Sequence, residues 1–245
     1  MSKLLIVEES IIVQALFRDL LEGMDGFSYD IVSSYKEAEL LLKKSRYEFA
    51  IVERVLKDAK HGEIIALFNK FNIAPLVFTS EIDEDFFDDF EGAYIVDYIK
   101  KVKHNNEEAV LQRVKQLKAN KHTTILVVSD SIVYGSYLQQ NLKIHNFKVF
   151  AAKNNEEAYE KLQLHPETAL VIVDNNEPYV NSMQVVEHIR KNRALNSCNI
   201  IVLSEESNSY FTGALLSAGA NDYLIKEFSR SEFYVRIYQN INKLC

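Results

Sequence analysis

Residues 169–178 read Ala169-Leu170-Val171-Ile172-Val173-Asp174-Asn175-Asn176-Glu177-Pro178. Five apolar residues run straight into a carboxylate, and a polar turn follows. An unbroken apolar run of this length is what a parallel strand buried on both faces requires. Its last residue then delivers one acid to the carboxyl edge of a sheet, where open α/β sheets gather their ligands. An earlier stretch, Phe49-Ala50-Ile51-Val52-Glu53, reads as an altered copy of the same device.

Around these two runs the chain repeats. The first pass predicts strands at Lys3–Val7, Phe27–Val32, Phe49–Val52, Ala74–Phe78 and Tyr94–Ile99. Between them lie helices at Ile11–Leu21, Tyr35–Lys44, Glu63–Phe71 and Asp83–Phe90, with Asn106–Ala119 last. Ser10 and Ser34 stand as N-caps, and Ile12, Leu16 and Leu20 form the stripe of the first helix. The second pass predicts strands at Thr124–Val128, Phe147–Ala151, Ala169–Val173, Asn199–Leu203 and Asp222–Ile225. Its helices are Ile132–Leu142, Asn155–Leu164, Ser182–Lys191, Asn208–Ala218 and Arg230–Leu244. Strand–helix alternation of this kind implies parallel βα units with right-handed crossovers.

The two passes keep their polar strand ends in register. Glu9 to Asp130 and Glu53 to Asp174 are both steps of 121 residues. Thr79 to Ser204, Tyr98 to Tyr223 and Lys101 to Lys226 are all steps of 125. The implied domains are 1–121 and 122–245, joined near Lys118–Thr123 without a Pro, Gly or Ser linker, which favours a fixed relation over free tethering.

Composition narrows the class. A chain of 245 residues with 47% hydrophobic content can fill two ordinary cores. Net charge is −7, with −5 carried up to Lys121, so no basic face for direct nucleic-acid binding is expected. No run approaches the roughly 18 apolar residues of a membrane span. Cys198 and Cys245 make neither a disulfide framework nor a metal cluster, which fits a cytoplasmic protein.

The second pass brings Asp130, Asp174, Ser204 and Lys226 to one sheet edge. Two carboxylates there suit Mg²⁺, which takes one or two such ligands plus waters and phosphate oxygens. A carboxylate can attack phosphorus, an ammonium can neutralise the transferring oxygens, and a hydroxyl can donate to the new phosphate. Taken singly, Asp174 reads as a turn or cap, Lys226 as a solvated lysine and Ser204 as a cap. Their joint register points to a phosphate site.

These motifs, Ile125–Ser131, Leu170–Pro178, Ile201–Ser204 and Gly219–Lys226, resemble those of response-regulator receiver domains, and the resemblance covers nearly the whole chain as a tandem pair. It implies two flavodoxin-like doubly wound α/β folds, each a five-stranded parallel sheet in order 2-1-3-4-5. It implies Asp174 as phosphoacceptor, Asp130 and the Asn176 backbone carbonyl as Mg²⁺ ligands, Ser204 and Lys226 on the phosphate, and Tyr223 as the switch aromatic. The implied partners are a histidine kinase or phosphotransfer protein and a second copy in a homodimer. No enzyme activity is implied within the chain itself. Tandem receivers of this kind also resemble the input region of diguanylate cyclases, so a C-terminal output domain outside this chain is expected as an alternative.

Three departures qualify the resemblance. Ser129 stands where the family has a first acid, Glu205 where it has a small residue, and Glu227 where it has a proline preceded by a cis peptide. The first half keeps Glu8, Glu9, Thr79 and Lys101 but has Glu53 at the acceptor position. It reads as a degenerate pseudo-receiver whose Glu53 pairs with Lys101 or Arg54. The remaining readings are a phosphate-independent scaffold and a self-contained phosphatase or nucleotide-binding protein. The last is disfavoured because no glycine-rich phosphate loop is present.

Overall fold

A computed structural model of the chain describes residues 1–80, 94–101, 106–192, 197–205 and 208–242. The helix expected at Asp83–Phe90 lies outside the described residues, as does Cys245. The chain divides into two units, Met1–Lys118 and Ala119–Cys245. The first contains β1 (Ser2–Val7), α1 (Ile11–Glu22), β2 (Phe27–Val32), α2 (Tyr35–Lys44), β3 (Phe49–Val52), α3 (Glu63–Lys70), β4 (Leu76–Thr79) and β5 (Asp97–Lys100). Helix α4 (Asn106–Asn120) follows, and the boundary falls within its last turn.

The second unit contains β6 (Thr124–Val128), α5 (Ile132–Ile144), β7 (Lys148–Ala152), α6 (Asn155–Leu164) and β8 (Thr168–Asp174). It continues with α7 (Ser182–Asn192), β9 (Asn199–Ser204), α8 (Ser209–Ala218), β10 (Asp222–Ile225) and α9 (Arg230–Asn242). The two sheets are β2-β1-β3-β4-β5 and β10-β9-β8-β6-β7, and every pairing in both is parallel. In each, the first strand of the unit lies between the second and third. This is the doubly wound order 2-1-3-4-5.

The apolar runs explain why both sheet faces are covered. Successive side chains of a strand point to opposite faces. In the second unit Leu126, Val128, Val171, Val173, Ile200 and Val202 pack with Ala158 of α6, Val185 and Ile189 of α7, and Leu215 of α8. Their neighbours Ile125, Val127, Leu170, Ile172, Ile201 and Leu203 pack instead with Leu138 of α5 and Phe233 and Ile237 of α9. Three helices lie on one face and two on the other. Between the polar residues that open them (Thr124, Thr168 and Asn199) and their carboxyl ends, these central strands are apolar throughout, so the chemistry is confined to the carboxyl edge.

One expected stripe is corrected. Ile12 and Leu16 are exposed, and α1 buries Gln14, Phe17 and Leu21 instead. Phe17 meets Phe78 of β4 edge-on at 5.8 Å. Gln14 can occupy the inner face because its amide donates to the Glu8 carbonyl at 2.5 Å, which removes the cost of burying it.

Candidate functional site

Strand register sets the site. In the second unit Val128 pairs with Val173, Asp174 with Leu203, and Ser204 with Ile225. The four adjacent strands β10, β9, β8 and β6 therefore end nearly level, and the residues at and just past their ends share one edge. The Asn175 N–H donates to the Leu203 carbonyl at 2.8 Å and the Lys226 N–H to the Ser204 carbonyl at 2.7 Å. These bonds carry the ladder one step beyond the strands.

Asp174 is 1% exposed. Its Oδ2 accepts a hydrogen bond from the Ser129 hydroxyl at 2.7 Å. Its Oδ1 lies 2.8 Å from the Lys226 ammonium. That contact is an ion pair whose alignment falls short of a hydrogen bond, so Oδ1 has charge compensation without an aligned donor. Lys226 also lies 5.1 Å from the centre of the Tyr134 ring and 3.3 Å from Glu205. Burial alone would lower the lysine's pKa. The close ion pair with Asp174, together with the hydrogen bond and charge of Glu205, outweighs it and holds the pKa above the ordinary lysine value. Burial and the Asp174 charge push the Tyr134 phenol up.

Asp130 is half-buried, and both its oxygens accept from the Asn176 side-chain amide, at 3.0 and 2.9 Å. The Asn176 carbonyl accepts from the Tyr179 and Val180 N–H groups at 3.1 and 3.0 Å, closing a tight turn. Ser204 is buried at the end of β9. Tyr223 is half-buried against the core beneath α6–α8, opposite Val202. The edge thus gathers Asp130, Asp174, Ser204 and Lys226 as expected. It also recruits Ser129, Tyr134 and the Asn176 side chain, which strand spacing alone did not single out.

The departures resolve as follows. Glu205 does not crowd the acid; its side chain is 81% exposed and reaches back to Lys226. Among the described residues the cis peptide is Glu177–Pro178, so the Lys226–Glu227 bond is trans, and Lys226 still reaches Asp174. Glu227 takes φ +76°. That left-handed backbone costs an L side chain about 1–2 kcal/mol and suits asparagine better. Glu227→Asn is expected to stabilise the second unit by about 0.5–1 kcal/mol, read from the midpoint of urea unfolding at unchanged slope.

The first unit builds the same edge with different charges. Glu8 and Glu53 are buried and share Lys101, at 2.5 Å from Glu8 and in a shorter contact with Glu53. Lys101 also sits 5.2 Å from the Phe78 ring. Its N–H donates to the Thr79 carbonyl at 2.8 Å, matching the Lys226–Ser204 bond. Glu9 points elsewhere: it accepts from the Lys57 N–H at 2.5 Å. Burial raises the Glu8 pKa; Lys101 opposes this and the Glu53 charge adds to it. Of the two partners expected for Glu53, the structure places Lys101 on it.

Residues 125–238 match the family described as the response regulator receiver domain. The second unit is a receiver domain. The chemotaxis protein CheY1 of Helicobacter pylori is 29% identical over 106 residues, 43% of this chain and 86% of that protein. The response regulator ArlR of Staphylococcus aureus is 30% identical over 115 residues, 47% of this chain but only 51% of its own length. A crystal structure described as a two-component system response regulator/GGDEF domain protein matches 100% of this chain and 99% of its own, with TM-score 0.85 and 26% identity. A second structure so described matches the same shares with TM-score 0.84 and 25% identity. The chain as a whole is two receiver-like folds in tandem, of the kind used in two-component signalling. Among the described residues no helix is long and apolar enough to cross a membrane, and no group of three His, Cys, Asp or Glu side chains forms a ready metal cage.

Proposed function

We propose that the second receiver domain accepts a phosphoryl group on Asp174, and that the first unit is a pseudo-receiver that accepts none. The observation that carries the reading is the buried Asp174 carboxylate held between the Ser129 hydroxyl and the Lys226 ammonium. A carboxylate oxygen of Asp174 attacks the phosphorus of a phosphohistidine on a kinase or phosphotransfer protein. The new O–P bond forms as the N–P bond breaks, and the imidazole nitrogen keeps the electron pair and takes a proton from water. Lys226 neutralises the phosphoryl oxygens as charge spreads onto them, and Ser204 hydrogen-bonds the product phosphate. The first turn of α5 leaves Ile132 86% and Val133 82% exposed beside the acid at Asp130, an apolar contact for the donor protein.

Asp130 and Asp174 fit a Mg²⁺ ion: both are hard oxygen donors, and one Asp174 oxygen is buried without an aligned hydrogen-bond donor. When bound, the ion would supply further charge neutralisation of the phosphoryl oxygens. The Asn176 amide must then leave Asp130, and the Asn176 carbonyl becomes a third ligand only if its turn yields a bond. With serine at 129 the site lacks one carboxylate. Gly135 leaves room there, since a Cβ on it would stand 3.3 Å from the Ser129 Cβ. Ser129→Asp is expected to tighten Mg²⁺ binding about tenfold through the added ligand charge. It should also lower stability without the metal, because a second carboxylate then faces Asp174. Calorimetric Mg²⁺ titration and thermal melts with and without EDTA check both signs.

The groove on the α8–β10–α9 side, with Leu216, Tyr223, Phe228 and the Asp222–Arg236 pair, is the face proposed for homodimerisation. The full-length likeness to response regulator/GGDEF proteins supports a second reading, that this chain is the input portion of a regulator whose output domain lies outside it. The direct test is incubation of the full chain with acetyl phosphate, with Mg²⁺ or with EDTA, read by intact mass. A Mg²⁺-dependent gain of one phosphoryl group supports the proposal. No gain leaves the phosphate-independent scaffold as the better reading.

A further inference from the structure

The first unit carries a feature on the opposite edge of its sheet from the acid cluster. Helix α2 ends at Lys44 and helix α3 at Lys70, and their exits frame a cleft of about 700 Å³. Lys43, Lys44, Arg46 and Lys70 line it, with Tyr47 buried beneath and Phe71 exposed at the rim. Lys43 is paired with Glu39 at 2.9 Å. Lys44, Arg46 and Lys70 have no ion-pair partner among the described residues. The nearby Asp30 is already held by Lys3 at 2.8 Å and by the Tyr47 hydroxyl at 2.6 Å.

Basic residues at helix ends are ordinarily explained by the helix dipole. Each C-terminus presents roughly half a negative charge, so two ends call for about one cation. Three unpaired cations exceed that demand. The internal repeat supplies a control. The equivalent exit from α6, Gln163-Leu164-His165-Pro166-Glu167, carries no lysine or arginine. The fold therefore does not require the cations at the α2 exit, Lys44 and Arg46, which stand out in a chain of net charge −7, whereas α7, the counterpart of α3, does end in Arg190 and Lys191. The cleft's volume is that of a small-ligand pocket, and Tyr47, Phe71 and buried Ile73 give it apolar surface as well as charge.

We propose that this cleft binds a small multivalent anion with a flat or apolar body, of the nucleoside polyphosphate class. Arg46 offers a planar fork for two phosphate oxygens, Lys44 and Lys70 add point charges, and the Phe71 ring takes the body. The site is independent of phosphoryl transfer at Asp174. A polynucleotide would need a far broader basic face than one cleft supplies.

The test is calorimetric titration of the full chain with ATP and with inorganic pyrophosphate, at fixed ionic strength and in excess EDTA so that no metal bridges the anion to the carboxylates. Wild type is compared with Arg46→Glu/Lys70→Glu. A control pair, Lys148→Glu/Lys153→Glu, makes the same charge change on exposed residues of the second unit. The expected result is saturable binding of ATP or pyrophosphate, weakened at least about tenfold by the cleft pair and within about twofold of wild type for the control pair. Two outcomes overturn the proposal: no saturable binding of either probe, or equal weakening by both pairs.

Discussion

Asp174→Asn is expected to take up no phosphoryl group under conditions that label the wild type. Asparagine keeps the volume and one oxygen of the buried side chain but removes the charge that makes the carboxylate a nucleophile. It also leaves Lys226 facing a neutral amide, with the exposed Glu205 as its remaining ion-pair partner among the described residues. The expected cost is about 1–3 kcal/mol, enough to shift a melt without unfolding the unit. Loss of labelling in a variant that melts cooperatively assigns the acceptor. Undiminished labelling moves it elsewhere and sinks the assignment. Borohydride reduction of the labelled wild type, followed by peptide mapping, places the acyl phosphate without relying on any variant, because the reduced residue is marked covalently.

The edge was legible because the interiors of the buried strands are unbroken apolar runs, so the first polar residue after each run marks its carboxyl end. The acids at 130 and 174, the hydroxyl at 204 and the lysine at 226 each fall at or just past the end of such a run, and parallel register then brings them to one edge. What the sequence concealed are contacts that cross between elements. Ser129 read as a lost acid; its hydroxyl is in fact a donor to Asp174. Asn176 was expected to act through its carbonyl, yet its amide holds Asp130. The α1 stripe misled because Ile12 and Leu16 keep helical spacing while facing solvent. The true inner face is masked by Gln14, whose burial depends on a carbonyl six residues earlier in the chain. Ile11 and Ile12 in α1, like Ile132 and Val133 in α5, are exposed on the first turn. Hydrophobicity alone therefore could not separate core from surface at these helix starts.

The first unit offers the second large effect. Lys101→Met is expected to destabilise it by about 3–5 kcal/mol, the usual cost of stripping one partner from a buried ion pair. In a unit of 118 residues that corresponds to a drop in Tm of more than about 10 °C. Methionine retains the flexible stem that packs near Phe78, so the loss is electrostatic rather than a cavity. Two buried carboxylates, Glu8 and Glu53, would face each other with no cation between them. The pH dependence follows from the sign of the Glu8 shift. A carboxyl whose folded pKa is raised contributes stability at low pH, and that contribution is lost as the pH rises through the raised value. Without Lys101 nothing opposes the burial and the Glu53 charge that raise Glu8, so its carboxyl is raised further. The gap between variant and wild type should therefore narrow on acidification and widen towards neutrality. Adding Glu53→Gln to Lys101→Met should recover a large part of the loss, since it removes one of the two stranded charges. Hydrogen exchange of first-unit peptides in urea reads these stabilities in the full chain. A gap that stays constant from about pH 4 to pH 7 would show that Lys101 acts through packing. The first unit would then need another account of why it holds two acids around one lysine where the second unit pairs its lysine with the single buried acid Asp174.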